Sequence, residues 1–151
     1  PFKEIKSGTW RKVTSGNDVA ILTIGHPGNF AVEACASLKK QGVDAAHYDM
    51  RFAKPIDETL LHEVFSKFKK VITVEDGCIV SGFGSAVVEF MVDQKYSAEV
   101  VRLGIPDKYI HHGTQEELWA DCGFDSAAIT KKVKEMLFID NSSKNLKQSA
   151  V

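Results

Sequence analysis

The alternation of strand-like and helix-like segments is the feature of this 151-residue chain that most restricts its fold. Four runs are predicted to be strands, and they alternate with segments whose apolar residues recur at helical spacing. The first is a continuous apolar run, which is typical of a strand covered on both faces. The runs lie in "NDVAILTIG", "VDAAHYDM", "VITVE" and "EVVRLG". Because the connections are short, this order favours right-handed crossovers and a parallel sheet between two helix layers.

Several helix boundaries carry local signals of their own. Asp57 is placed to cap the second helix, and Asp125 is placed to cap the last one. Thr114 and Glu117 form a T-x-x-E capping box for a short helix that ends near Gly123. The apolar residues that line the helix after "VITVE" are Val87, Val88, Met91 and Val92.

The segment "TWRKV" near the start is placed to add an edge strand. A short turn through "TSGND" would make this strand antiparallel to the next one. The predicted fold class is therefore α/β, a three-layer α/β/α arrangement with a mostly parallel five-stranded sheet and one antiparallel strand. We expect residues 1–137 to form one domain and residues 138–151, which are polar without periodicity from Asn141 onward, to form a flexible tail.

Composition excludes several classes of function. The formal net charge is −1 and Lys and Arg cluster only in short pairs, which disfavours nucleic-acid binding. No apolar run approaches the roughly 20 residues needed to cross a bilayer. Cys35, Cys78 and Cys122 are far apart and form no CxxC motif, which indicates reduced, small hydrophobic residues in a cytoplasmic protein. His111 and His112 are adjacent and belong to no metal-binding motif, so we predict no metal site.

The glycine-rich stretch "VITVEDGCIVSGFGSAVVEF" contains the ingredients of a phosphate-binding loop. Gly77 and Gly82 have P-loop spacing, but Phe83 and Gly84 occupy the positions of the required Lys and Ser/Thr. Gly82 and Gly84 also begin a dinucleotide fingerprint, whose third position is Val87 rather than Gly or Ala. We therefore interpret Gly77, Gly82 and Gly84 as a structural loop that seats the helix near the sheet. The alternative is a ligand-binding surface at the carboxyl ends of the strands.

Charged residues follow several of the predicted strands. Glu75 and Asp76 end the third strand, Arg51 follows the second, and His26 follows the first. Parallel strands bring these ends to one edge of the sheet, where charged residues commonly cap helices or meet solvent. The more specific hypothesis is that these charged residues form a rim of the sheet edge that faces a partner domain. Its candidate residues are Arg51, Glu75, Asp76 and His111.

Three motifs carry a resemblance to a known family. In this order, "DMRFAKPIDETLLHEV", "VITVEDGCIVSGFGSAVVEFM" and "LGIPDKYIHHGTQEEL" resemble the C-terminal domain of the 1-deoxy-D-xylulose-5-phosphate synthase family, and the likeness covers residues 5–137. This family belongs to the thiamine-diphosphate-dependent transketolase superfamily, whose C-terminal domain is a three-layer α/β/α fold with one antiparallel strand. The resemblance implies a cytoplasmic, dimeric transferase that condenses pyruvate with glyceraldehyde 3-phosphate, releases carbon dioxide and feeds isoprenoid, thiamine and pyridoxal synthesis.

The resemblance also implies that the chemistry lies elsewhere in such an enzyme. The cofactor and Mg²⁺ sit between two preceding domains, which hold the metal through a GDG motif and a later Asn. The nearest string here is Glu75-Asp76-Gly77, and no Asn occurs between positions 30 and 140. The family's activating glutamate belongs to the middle domain. No catalytic, cofactor-binding or metal-binding residue is therefore carried over, and we expect the chain to be inert alone and to act with the N-terminal and middle domains.

Two other readings are open at this point. One is a sister family, either transketolase itself or the β subunit of a 2-oxo-acid dehydrogenase. The other is a free-standing α/β module that recognises a small anion at the glycine loop. The motif "LGIPDKYIHHGTQEEL" favours the synthase over its sisters.

Overall fold

The computed structural model describes residues 4–148, with side chains described up to residue 137. The strands are β1 (Arg11–Thr14), β2 (Val19–Ile24), β3 (Ala45–Asp49), β4 (Lys70–Cys78) and β5 (Glu99–Ile105). The helices are α1 (Gly28–Lys40), α2 (Glu58–Lys67), α3 (Phe83–Asp93), α4 (Gln115–Cys122) and α5 (Ser126–Gln148).

The five strands form one sheet in the order β1-β3-β2-β4-β5. β2 to β5 run parallel, while β1 runs antiparallel to its neighbour, so the predicted fold class is confirmed. As expected, β1 runs antiparallel to β2, the next strand in the sequence, but its hydrogen-bonded neighbour is β3. Both edges of β2 are already occupied by β3 and β4. Across this strand pair, the Arg11 guanidinium contacts the Asp49 carboxylate of β3 at 3.1 Å.

Helices cover both faces of the sheet and bury two apolar cores. One core lies between the sheet and α2 and α3, and it includes Leu61, Phe65 and Val87. The other lies between the sheet and α1 and α5, and it includes Leu38 and Ile129. This arrangement is the predicted three-layer architecture.

The buried face of α3 differs from the predicted one. The structure buries Phe83, Gly84, Val87 and Phe90. Val92, placed by the sequence pattern on the apolar stripe, is 62% exposed. Because α3 is apolar on more than one side, its periodicity allows two orientations. The close approach of Gly84 to the sheet, described below, selects the observed one.

The predicted helix caps are confirmed. Asp57 accepts a hydrogen bond from the Leu60 amide at 3.0 Å, and Thr114 and Glu117 form both halves of the capping box. Gly123 ends α4 in the left-handed conformation at φ 74°. Helix α5 continues past residue 137, but the side chains of residues 138–148 and all of residues 149–151 lie outside the described part. The division into a domain and a tail therefore stays a prediction.

Two further findings concern the classes of function considered above. Among the described residues, no helix combines the length and apolar character needed to span a membrane. Cys35 is buried as expected, and burial raises the pKa of its thiol to about 11. Cys78 is exposed, so the expectation of a buried hydrophobic role is wrong for that residue. It sits at the end of β4, where the strand leaves the core.

Candidate functional site at the carboxyl edge of the sheet

The carboxyl edge of the sheet contains a topological switch point. From β2 the chain crosses to β3 on one side, and from β3 it returns to β4 on the other side of β2. Open α/β sheets bind ligands at such points. Here the switch point holds a cleft of about 410 Å³. It is lined by Ile24, Gly25, His26, Ala53, Glu75, Asp76, Gly77 and Phe83.

Glu75 lies inside this edge and only 5% of it is exposed. Its Oε1 atom accepts a hydrogen bond from the Gly84 amide at 2.8 Å, and its Oε2 atom accepts one from the Phe83 amide at 2.9 Å. These are the first amides of α3, whose N-cap residue Gly82 has no side chain to offer them. The carboxylate also places negative charge at the positive end of the helix dipole. Glu75 therefore occupies the position where a phosphate binds at a helix N-terminus.

The glycines around Glu75 leave space for this arrangement. A Cβ atom on Gly82 would collide with the Cys78 carbonyl oxygen and with the Glu75 carboxylate. A Cβ atom on Gly84 would lie 2.5 Å from the Thr73 Oγ1 atom, whereas one on Gly77 would meet only Glu75 Oε2, at 3.3 Å. This geometry supports a structural role for Gly82 and Gly84 and a weaker requirement at Gly77.

Arg102 holds the other side of the glycine loop. Its Nη1 atom donates to the Ile79 carbonyl oxygen at 2.6 Å and to the Ser85 hydroxyl at 2.8 Å. The Ile79 amide in turn donates to the Ile105 carbonyl oxygen at 3.0 Å. Hydrogen bonds thus hold the loop of residues 78–82 against α3 and β5. Sequence analysis did not identify Arg102, because an arginine within a strand gives no local sign of the loop that it binds.

We expect Gly84→Val to lower the free energy of unfolding by about 1–3 kcal/mol through overpacking against Thr73. Urea denaturation monitored by circular dichroism measures this loss. Gly77→Ala is the matched control in the same loop, and we expect a smaller effect there because its nearest neighbour is a side-chain atom at 3.3 Å. Equal tolerance of both changes would contradict the packing role and favour a loop that faces a ligand.

The structure separates the four candidate rim residues. Asp76 is exposed and lines the switch-point cleft and also a second cleft, which it shares with His111. Arg51 is half-buried at φ 57°, its amide donates to Asp49 Oδ1 at 3.1 Å, and it lines neither cleft. Glu75 belongs to the interior of the domain rather than to an exposed rim, because both of its oxygens are bonded to α3.

The second cleft has a volume of about 500 Å³ and lies between the loop after β5 and helix α4. Trp119 of α4 stacks on His26 with ring centroids 4.8 Å apart, and it meets the edge of Phe30 at 4.9 Å. Cys122 also lines the cleft, and partial burial raises the pKa of its thiol, which disfavours a nucleophilic thiolate. Sequence analysis missed Trp119, because exposure and stacking partners cannot be read from an isolated aromatic residue.

Comparison with protein families gives a match over most of the chain. The model described as "Transketolase, C-terminal domain" matches residues 8–129. A 1-deoxy-D-xylulose-5-phosphate synthase from Cytophaga hutchinsonii is 58% identical over 136 residues, which cover 90% of this chain and 21% of the relative. The synthase from Aquifex aeolicus is 39% identical and is matched over 90% of this chain and 22% of its own length.

Solved structures show the same fold. A structure titled "Split gene transketolase, inactive beta4 tetramer" superposes with a TM-score of 0.83 at 29% identity, covering 90% of this chain and 44% of that one. A transketolase from Campylobacter jejuni gives a TM-score of 0.63 at 17% identity over 89% of this chain and 19% of its own, a likeness that concerns the fold alone. The chain spans 21–22% of the length of the two synthase relatives described above.

Proposed function

The chain belongs to the transketolase C-terminal domain family, and from this membership we propose that it is the C-terminal domain of a 1-deoxy-D-xylulose-5-phosphate synthase. The observation that carries the proposal is the 58% identity to the Cytophaga hutchinsonii synthase over 90% of the chain. Identity to the two transketolase structures is lower, at 29% and 17%. A free-standing anion-binding module is disfavoured, because Glu75 already occupies the α3 N-terminus.

The complete enzyme would condense pyruvate with glyceraldehyde 3-phosphate and release carbon dioxide in the cytoplasm. Thiamine diphosphate and Mg²⁺ would bind to the preceding domains. The role of this chain would be to complete the fold, to contribute dimer contacts and to border the active-site entrance. The test is an assay of carbon dioxide release by the full-length polypeptide and by a version lacking residues 8–137. Full activity of the shortened version would contradict this role.

The described residues do not fit a thiamine diphosphate–magnesium complex. Mg²⁺ prefers near-octahedral oxygen coordination and is usually held by one or two free carboxylates together with phosphate oxygens and water. Among the residues that the structure describes, no group of three His, Cys, Asp or Glu side chains is arranged to hold a metal ion. In the string Glu75-Asp76-Gly77, the first carboxylate is already bonded to the amides of α3.

We therefore expect the 151-residue chain alone to bind no thiamine diphosphate and to leave pyruvate unchanged. Isothermal titration calorimetry with cofactor and Mg²⁺ should show no heat of binding. The full-length polypeptide, titrated under the same conditions, is the positive control. Specific micromolar binding by the chain alone would refute the assignment of the cofactor site to the preceding domains.

We propose that the three candidate rim residues outside the interior, Arg51, Asp76 and His111, face a neighbouring domain or the second subunit. Exposed ion pairs contribute about 0–1 kcal/mol. Removing one member of a pair that a partner has desolvated costs considerably more, because the remaining charge is then buried without compensation. We expect Arg51→Ala and Asp76→Ala to leave the melting temperature of the chain alone nearly unchanged. In the full-length polypeptide the same changes should weaken domain docking, dimerisation or turnover. Equal destabilisation of both proteins would assign these residues to the fold of the domain itself.

A further inference from the structure

Within the part of the chain whose side chains are described, helix α4 buries fewer residues than any other helix. Helices α1, α2 and α3 each bury four residues and α5 buries Ile129, Val133 and Met136, but no residue of α4 is buried. Its formation is explained locally by the Thr114 capping box and by Gly123 in the left-handed conformation. A capped helix of eight residues is nevertheless short, and helices of this length normally depend on tertiary packing. Within the domain, α4 packs against the core only through partly buried residues, among them Trp119 and Cys122, and the rest of the helix is mostly exposed.

The loop before α4 adds exposed apolar surface. Tyr109 is 82% exposed, the largest exposure among the large hydrophobic residues described, and touches the ring of His111 at a centroid distance of 5.4 Å. Beyond it lies the 500 Å³ cleft, whose lining includes Leu118, Trp119 and Cys122. Val80, in the loop of residues 78–82 at the same edge of the sheet, is 53% exposed. An exposed aromatic ring beside an apolar-lined cleft is a feature of interaction sites.

We propose that residues 107–122, called here the α4 surface, dock onto the part of the polypeptide that precedes this domain. The inference rests on the proposed function, since the matched relatives are longer chains of which this one covers 21–22%. The α4 surface carries four acidic residues against one lysine. These are Asp107, Glu116, Glu117 and Asp121 against Lys108. The docked segment therefore presents an apolar side chain to the cleft and Lys or Arg side chains to its acidic border.

Hydrogen exchange measured by mass spectrometry tests the docking. Amides of residues 107–122 should exchange at least about tenfold more slowly in the full-length polypeptide than in the 151-residue chain, because docking suppresses local opening. Alkylation of Cys122, which lines the cleft, should slow in parallel. Raising the salt concentration should reduce both effects, because the acidic border is exposed.

Variants of the full-length polypeptide identify the surface responsible. Tyr109→Ser removes the exposed ring without disturbing the fold and should abolish most of the protection. Val92→Ser is the matched control, since Val92 is also exposed, at 62%, but lies on α3 away from the α4 surface. Glu116→Lys should weaken docking by reversing one charge of the acidic border.

Three outcomes would overturn the inference. The first is equal exchange of residues 107–122 in the two proteins, and the second is equal loss of protection in Tyr109→Ser and Val92→Ser. The third is protection of the 151-residue chain that grows with its own concentration, since a second copy would then occupy the surface. Normal carbon dioxide release by a full-length polypeptide that shows no such protection would refute the docking while leaving the proposed function intact. Slow exchange of residues 107–122 in a full-length polypeptide without synthase activity would support the docking and refute the proposed function.

Discussion

Replacing Glu75 with alanine is expected to lower the free energy of unfolding by about 3 kcal/mol. The change leaves two buried amides, those of Phe83 and Gly84, without an acceptor, and each unsatisfied donor costs about 1–3 kcal/mol. It also removes the side chain that caps α3, since the N-cap residue Gly82 offers none. For a domain of this size the loss corresponds to a decrease in melting temperature of roughly 10 °C. Urea denaturation and differential scanning calorimetry measure both quantities.

A second substitution at Glu75 distinguishes the loss of the carboxylate from the loss of side-chain volume. Glu75→Gln keeps the shape of the side chain, but its amide group turns a donor toward one of the two α3 amides. We therefore expect a loss comparable to that of Glu75→Ala. Asp76→Asn is the matched control, because Asp76 is the exposed neighbour, and its effect should stay within about 0.5 kcal/mol. If both Glu75 variants remained as stable as the control, the capping role of this carboxylate would be refuted.

Acid is expected to destabilise the domain through His47. This residue of β3 is 1% exposed, and its Nε2 atom lies 2.8 Å from the Thr23 hydroxyl. Burial lowers the pKa of the imidazole to about 4, with the Asp49 carboxylate opposing the shift and the Arg11 guanidinium reinforcing it. The folded state therefore holds a neutral ring under conditions in which the unfolded chain binds a proton.

The sign of the effect follows from the two pKa values of His47. Its pKa is about 6.5 in the unfolded chain and about 4 in the folded domain, so the unfolded state binds more protons between these pH values. Stability is unaffected by this group above about pH 6.5 and falls as the pH decreases below it. The slope of the free energy of unfolding against pH approaches about 1.4 kcal/mol per pH unit. By pH 4 this group lowers the free energy of unfolding by about 3 kcal/mol in total.

Urea denaturation at pH 7.5, 6 and 5 tests this expectation. His47→Gln carries no titrating ring and should show a flatter dependence of stability on pH than the unchanged chain. His112→Gln is the matched control, because His112 is exposed, and it should keep the original slope. An unchanged slope in His47→Gln would show that other groups cause the acid sensitivity. Nuclear magnetic resonance of the His47 ring would report its protonation directly.

The fold class could be predicted from the sequence because the patterns that indicate it are local and recur along the chain. Alternating apolar runs and helical periodicities predicted the parallel sheet between helix layers. Asp57 and the Thr114–Glu117 pair marked the starts of α2 and α4, since a cap bonds to amides only a few residues away. Gly123 marked the end of α4 for the same reason.

The candidate site depended on contacts between distant residues. The sequence placed Glu75 and Asp76 together at a strand end, yet the fold turns the first toward the α3 amides and leaves the second exposed. Arg102 reaches the loop from another strand, and Trp119 meets His26 across the edge of the sheet. Periodicity reports that side chains alternate between faces, but it does not report which groups meet there.

The sequence by itself determined the order of the elements, the layers of the fold and the capped ends of α2 and α4. Only the tertiary structure decided that β1 pairs with β3, which face of α3 is buried and that α4 is left with no buried residue. The physical reason is the range of the interactions. Caps and periodicities involve groups within one or two helical turns, whereas strand pairing and burial depend on neighbours that the chain brings together only when it folds.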